Sequence, residues 1–253
     1  MSESQSVPEP APSPEGAPAA GLSQLGELYL EPRSGFTSIL RTPDRWWLPL
    51  LVCMALHFAF SLVWVSKMDP VEHARIQMEE SSFTRNLPPE QKEQQIQGRA
   101  RSAKFVVPVI FLLIPIMGAV VMGGINLLIY RFFYGAQVTF KQSLAVNTWT
   151  GLTVATVTFP LMLVVYAAKG DWNIDPSVVL QANLSLLFTK GQVAPALYGL
   201  AESIDLVSAW TLFLLATGYG VIIRKPTSAA LWGVLVPWCV LVLIKLGLLA
   251  LMG

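Results

Sequence analysis

Residues 46–66 read WWLPLLVCMALHFAFSLVWVS, 21 residues without a charge. A bilayer core about 30 Å thick needs about 20 apolar residues at a rise of about 1.5 Å each. The stretch therefore has the length and composition of a transmembrane helix. Trp46, Trp47 and Trp64 stand near its ends, the level at which an indole ring can be half wet. Four comparable runs follow. Phe105–Tyr130 and Val146–Ala168 are uncharged, Ser203–Ile223 holds only Asp205, and Ala229–Met252 holds only Lys245. Trp172 and Trp232 again lie near run ends. The pattern predicts an all-α, polytopic integral membrane protein with five transmembrane helices over about 46–66, 105–130, 146–168, 203–223 and 229–252.

The rest of the composition agrees. Of 253 residues, 53% are hydrophobic and 13% charged, against about 25% charge in a soluble domain. A net charge of +1, with no basic face, gives no basis for a nucleic-acid partner. Cys53 and Cys239 each sit inside an apolar run, so no disulfide framework is expected. Residues 1–21 are rich in Pro, Ala, Ser and Glu and are expected to be disordered, because they offer too little apolar surface to offset ordering entropy. They carry Glu3, Glu9 and Glu15 but no Lys, Arg or apolar core, unlike a secretory signal. The first run is then expected to serve as both targeting signal and anchor. Residues 22–45 form a juxtamembrane segment whose Leu25, Leu28, Phe36, Ile39 and Leu40 suit a helix on the membrane surface or a prelude to the first span.

Two connections are long. Residues 67–104 mix basic and acidic side chains, with Pro88-Pro89-Glu90 as a helix start, and read as an exposed charged pair of helices. In 169–202, Asp175-Pro176 looks like an N-cap with a first-turn proline. The SVVLQANLSLLF that follows is too short to cross, so an interfacial or re-entrant helix is expected between the third and fourth spans. Pro108, Pro115 and Gly123-Gly124 interrupt the second run, and Pro160 the third, predicting helix kinks packed against protein on at least one side. Basic residues do not decide orientation by number. The short connections after spans two and four carry Arg131 with Lys141, and Arg224 with Lys225, and no acid, which favours a cytoplasmic N-terminus.

Little in the chain points to chemistry. Cys53 and His57 share a helix face, but His73 is the only other histidine, too few ligands for a zinc site. No catalytic triad, Walker loop or dinucleotide glycine pattern is legible. We therefore expect no catalytic residues, no metal and no cofactor, and no enzyme. Ala119/Gly123, Gly151/Ala155 and Ala216/Gly220 allow close helix approach, within the bundle or at an oligomer face. Asp205 and Lys245 are the candidate intramembrane charges. Consecutive antiparallel spans bring them to one side of the membrane, so they are expected to pair. Otherwise Asp205 is solvated at a helix start and Lys245 snorkels.

The fourth run, SIDLVSAWTLFLLATGYGVIIRK, with Asp205, Trp210, Gly218 and a basic end, resembles the entry into the fourth helix of the Yip (Ypt-interacting protein) domain family. RFFYGAQVTFKQSLAV, between spans two and three, is similar to the family too. The mixed-charge connection with HARIQMEESS and LPPEQKE resembles its bacterial members. The resemblance covers roughly residues 30–252. It implies a five-span bundle with the N-terminus in the cytoplasm and the C-terminus across the membrane, in a bacterial inner membrane. Its eukaryotic relatives bind small Rab-type GTPases and membrane proteins of vesicle traffic. No GTPase-contact motif is legible here, so a small GTPase partner follows only by distant family analogy. The expected role is a non-enzymatic scaffold or adaptor binding the lipid bilayer and other membrane proteins, or itself. A small-molecule or ion transporter is the alternative, motivated by the broken second span, residues 175–188 and the Asp205/Lys245 charges.

Overall fold

The computed structural model describes residues 21–80, 84, 87–180, 182–189 and 192–252. The tail expected to be disordered lies outside these residues except for Gly21. The described residues are helical and contain no strand, only one isolated bridge between Asn183 and Asp205. In chain order the helices are α1 (Gln24–Leu30), α2 (Pro32–Ile39), α3 (Trp47–Lys67), α4 (Pro70–Glu80), α5 (Pro89–Phe132), α6 (Phe140–Lys169), α7 (Pro176–Val179), α8 (Pro195–Ser203), α9 (Leu206–Ile222) and α10 (Thr227–Met252), with a 3-10 turn at Pro43–Trp46 leading into α3. Four of them, those that include α3, α5, α6 and α10, are long and apolar enough to cross a membrane. The shorter apolar helix α9, 17 residues, falls at the low end of the crossing range of about 17–25.

The fold is built around α6. Its first half is largely buried even though Ser143, Asn147, Thr148, Thr150 and Thr153 interrupt the apolar residues; the Thr148 and Thr153 hydroxyls donate to the carbonyls four residues back. Its buried residues include Leu144, Val146, Trp149, Leu152 and Ala155. Helices α1, α3, α5 and α9 pack around it. The RFFYGAQVTFKQSLAV segment starts it. Gly135 takes a left-handed conformation, φ 59°. The Thr139 and Gln142 side chains then form a reciprocal capping box with each other's backbone N–H groups, at 2.9 and 3.2 Å.

The juxtamembrane segment departs from one of its two expected readings, the surface helix. Rather than lying on the membrane surface, α1 and α2 enter the bundle, with Leu28, Phe36 and Ile39 in its main core. The Tyr29 hydroxyl donates to Thr153 O at 3.1 Å and also meets Thr156 Oγ1. The apolar stripe of the segment is real, but an apolar stripe does not distinguish lipid from protein as the surface that covers it. The close approaches of Gly35 to Leu28 and of Gly218 to Phe36 select protein.

The second span also differs. Pro108, Pro115 and Gly123-Gly124 all stand inside one continuous helix of 44 residues, and none ends it. The exposed helix of the 67–104 connection and the second span are one element, because no proline stands between Pro89 and Phe105 and the single Gly98 costs only about 1 kcal/mol. Pro108 is buried and Pro160 faces outward. Pro237 lies inside α10. In place of one helix over SVVLQANLSLLF, α7 is followed by a 3-10 turn at Leu184–Leu187. Asn183 caps that turn through its own side chain, accepting from Ser185 N at 3.1 Å, which competes with a continuing helix.

Candidate functional site

The two ends of the bundle are sealed differently. We call the end where α3, α6 and α10 begin the near end, and the other the far end. At the far end, Trp64 Nε1 donates to Trp172 O at 2.9 Å, and Tyr166 donates to Ile174 O at 2.8 Å. His73 Nδ1 donates to Asn173 O at 2.9 Å. The 171–175 connection is thus strapped across α3, α4 and α6. At the near end, Tyr130 of α5 donates to Ala230 O of α10 at 2.6 Å, and Tyr134 to Ala229 O at 3.0 Å. Tyr130 stacks on Tyr219 of α9 with centroids 4.3 Å apart and planes 10° from parallel. Gly233 makes room for that ring: a Cβ there would stand 2.5 Å from Tyr130 Cζ. The Tyr219 hydroxyl meets Ser143 Oγ at 2.5 Å and accepts from Asn147 Nδ2 at 3.0 Å.

Between these seals α5 and α10 separate. Their contact is made at Tyr130, and antiparallel helices joined at one end can diverge at the other. A cavity of about 410 Å³ opens between them, lined also by α3, α6 and α9. Its lip is apolar: Ile114 and Leu241 are both exposed on the outer surface. Its wall is mostly apolar and carries no carboxylate, ammonium or guanidinium; the polar residues along it include His57, Asn126, Asn147, Thr150, Ser208 and Thr211. Several of these are already bonded. Thr148 and Thr211 donate back to Leu144 O and Val207 O, at 2.9 and 2.8 Å. Asn126 is 0% exposed; its amide stands beside the Tyr219 hydroxyl but makes no hydrogen bond of full geometry. Thr150 Oγ1, on a residue 2% exposed, has none either.

Cys53 and His57 face the same cavity, Sγ to Nδ1 at 3.5 Å. Nδ1 also lies 2.8 Å from Cys53 O, an acceptor only, so it carries the proton and does not act as base toward the thiol. Among the described residues no group of three or more His, Cys, Asp and Glu side chains could hold a metal.

The two candidate charges do not pair. Asp205 is the N-cap of α9, its Oδ1 accepting from Ser208 N at 2.8 Å. Lys245 Nζ instead meets Glu202 Oε2 and Ser203 Oγ, each at 3.4 Å. Both charges do lie on one side of the bundle, as the antiparallel geometry requires. The acid nearest Lys245 is on α8, an element with no apolar-run signature. The small-residue pairs are consumed internally: Ala119 is buried with Leu50 and Leu144, Ala155 and Ala216 are in the main core, and Gly220 abuts Ala230. Gly151 lines the cavity.

A family profile for the Yip1 domain matches residues 26–249. The chain belongs to the Yip1 domain family. No curated protein and no solved structure matches it. The Yip1-like residues of the fourth run have physical duties here. Asp205 starts α9. Trp210 meets Tyr29 edge-on, centroids 6.1 Å apart. Gly218 admits Phe36 and Val146: a Cβ on it would stand 2.7 Å from Val146 Cγ1 and 3.2 Å from Phe36 Cδ1. Sequence reasoning missed Tyr130, Tyr219 and Gly233 of this Yip1 bundle. Tyrosines inside apolar runs were the available signal, since a buried phenol needs an acceptor.

Proposed function

We propose that this Yip1-family protein is a non-enzymatic integral membrane adaptor. In this reading it is a five-span protein of a bacterial inner membrane, with the N-terminus in the cytoplasm. The observation that supports it is the head built by α4 and the start of α5. From Pro89 to Lys104, α5 extends about 24 Å beyond the apolar run at about 1.5 Å per residue. It is braced there by its own small core of Ala74, Met78 and Ile96, with Val71 and Leu87 against it. A packed helix pair of this kind holds its outward face, including Glu93, Gln94, Gln97 and Arg101, in a fixed geometry, and mixed charge of fixed geometry suits recognition of a complementary protein surface.

The test places a photoreactive amino acid at Gln94 or Gln97 in native membranes. Discrete adducts with membrane proteins are expected, and reversing the charges of Glu93 and Arg101 should abolish them. Purified protein in vesicles should pass no solute above the empty-vesicle rate. Adducts unchanged by charge reversal, together with solute flux, would overturn the adaptor reading in favour of transport.

A further inference from the structure

We infer that the cavity between α5 and α10 is a binding site for a neutral single-chain lipid whose headgroup is a hydroxyl or amide, admitted sideways from the bilayer. This inference stands apart from the adaptor reading, because it concerns the bundle interior and not the α4–α5 head. About 410 Å³ lies within the range of ligand pockets, about 300–1,000 Å³. The lip at Ile114 and Leu241 faces the side of the bundle that the apolar runs present to lipid. A ligand reaching the cavity by that route is one dissolved in the membrane.

The inner wall selects the headgroup. Asn126 offers a donor and an acceptor, and Thr150 offers one of each, none of them in a hydrogen bond of full geometry, the Asn126 amide standing beside the Tyr219 hydroxyl. A buried amide left without a full hydrogen bond is unfavourable, so a structure that keeps one at a cavity wall gains when a ligand satisfies it. His57, with Nδ1 committed to Cys53 O, presents Nε2 as a further acceptor. A hydroxyl or amide head both donates and accepts, which matches this set. No fixed charge lines the cavity, so a phosphate or carboxylate head would be buried without a counter-charge, which is strongly unfavourable. The hydrocarbon chain fits along Pro115, Gly118 and Trp238 towards the lip.

The test uses the full chain in phosphatidylcholine nanodiscs, with a monoacylglycerol carrying a diazirine in its acyl chain as the probe. Labelling should map to residues lining the cavity on α5 and α10 and be displaced by unlabelled monoacylglycerol. Asn126→Leu and Thr150→Val should each weaken it about fivefold, the size of one lost neutral hydrogen bond. Gly247→Ala, on the outer face, should leave it unchanged. Folding is checked separately: each variant should keep a cooperative unfolding transition without lipid, and Asn126→Leu should lose the stabilisation that added monoacylglycerol gives wild type. Labelling that Asn126→Leu and Thr150→Val both leave intact, or equal labelling by a photoreactive phosphatidylglycerol, would mean annular lipid contact only and overturn the site.

Discussion

Replacing Gly233 by Ala tests the clamp that joins α5 to α10. In an open helix the change would stabilise by about 1 kcal/mol, because alanine costs less backbone entropy. Here the new methyl would sit 2.5 Å from Tyr130 Cζ, 2.7 Å from its oxygen and 2.9 Å from Cε1, so something must move. The ring has nowhere to go: it is fully buried, stacked on Tyr219, and its hydroxyl is held by Ala230 O at 2.6 Å. Overpacking of this kind costs about 1–3 kcal/mol. Losing the tyrosine hydrogen bond adds about 0.6 kcal/mol by the scale of membrane polar contacts. Set against the helix gain, the net is a loss of about 0.6–2.6 kcal/mol, read as a lower unfolding midpoint of the purified protein in detergent. The cycle with Tyr130→Leu separates the cause. Leucine removes Cζ and the hydroxyl, so Gly233→Ala should become neutral or stabilising in that background. Gly247→Ala, with nothing within 4 Å of its Cβ position, should be neutral in either. A Gly233→Ala protein as stable as wild type, or strict additivity with Tyr130→Leu, would refute the clamp.

Gly218→Ala should destabilise by about 1 kcal/mol net of its helix gain, and Val146→Ala should relieve it, since Val146 Cγ1 is the nearest obstacle at 2.7 Å; unchanged midpoints would count against the contact. Asp205→Asn should preserve α9 and Asp205→Ala should cost about 1 kcal/mol, as for loss of an N-cap; equal losses in both would show that charge, not capping, matters. Lys245→Met and Glu202→Gln should be non-additive by about 0.6 kcal/mol in a double-mutant cycle, while Lys245→Met with Asp205→Asn should be additive. Reporter fusions at residues 20, 138 and 226 should report cytoplasm and those at 85 and 185 the opposite side; finding residues 20 and 253 on one side would remove the five-span count.

The spans could be read directly because length and apolarity are properties of the chain, set by the thickness of the bilayer core. What covers an apolar stripe is not such a property. Phe36 and Ile39 present the same pattern whether lipid or α9 receives them, and only the bare Cα at Gly218 decides. The Asp205/Lys245 pairing failed for a related reason. Side and depth were legible from antiparallel connection, but the N–H of Ser208 offers Asp205 a nearer partner, and α8 brings Glu202 to Lys245 from a connection whose fold the sequence leaves open. The cavity was visible only as its parts: Asn126, Asn147 and the threonines are polar residues within apolar runs. That α5 and α10 meet at Tyr130 and separate beyond it depends on one glycine, Gly233, facing one ring from a distant part of the chain.

The positions of the seals bear on how such a bundle would work. A path through the membrane must open at both ends in turn. Here the far end is closed by hydrogen bonds from Trp64, Tyr166 and His73 to one connection. The near end is closed by the Tyr130 and Tyr134 bonds to α10 and by the Tyr219–Ser143–Asn147 cluster. Opening either would leave several buried polar groups unpaired at once, each at about 1–3 kcal/mol. The lateral opening between Ile114 and Leu241 breaks no hydrogen bond, since both side chains are aliphatic. Exchange with the bilayer plane is therefore the lower-energy route to the cavity. That ordering of costs supports a protein that holds a membrane component in place over one that carries a solute across.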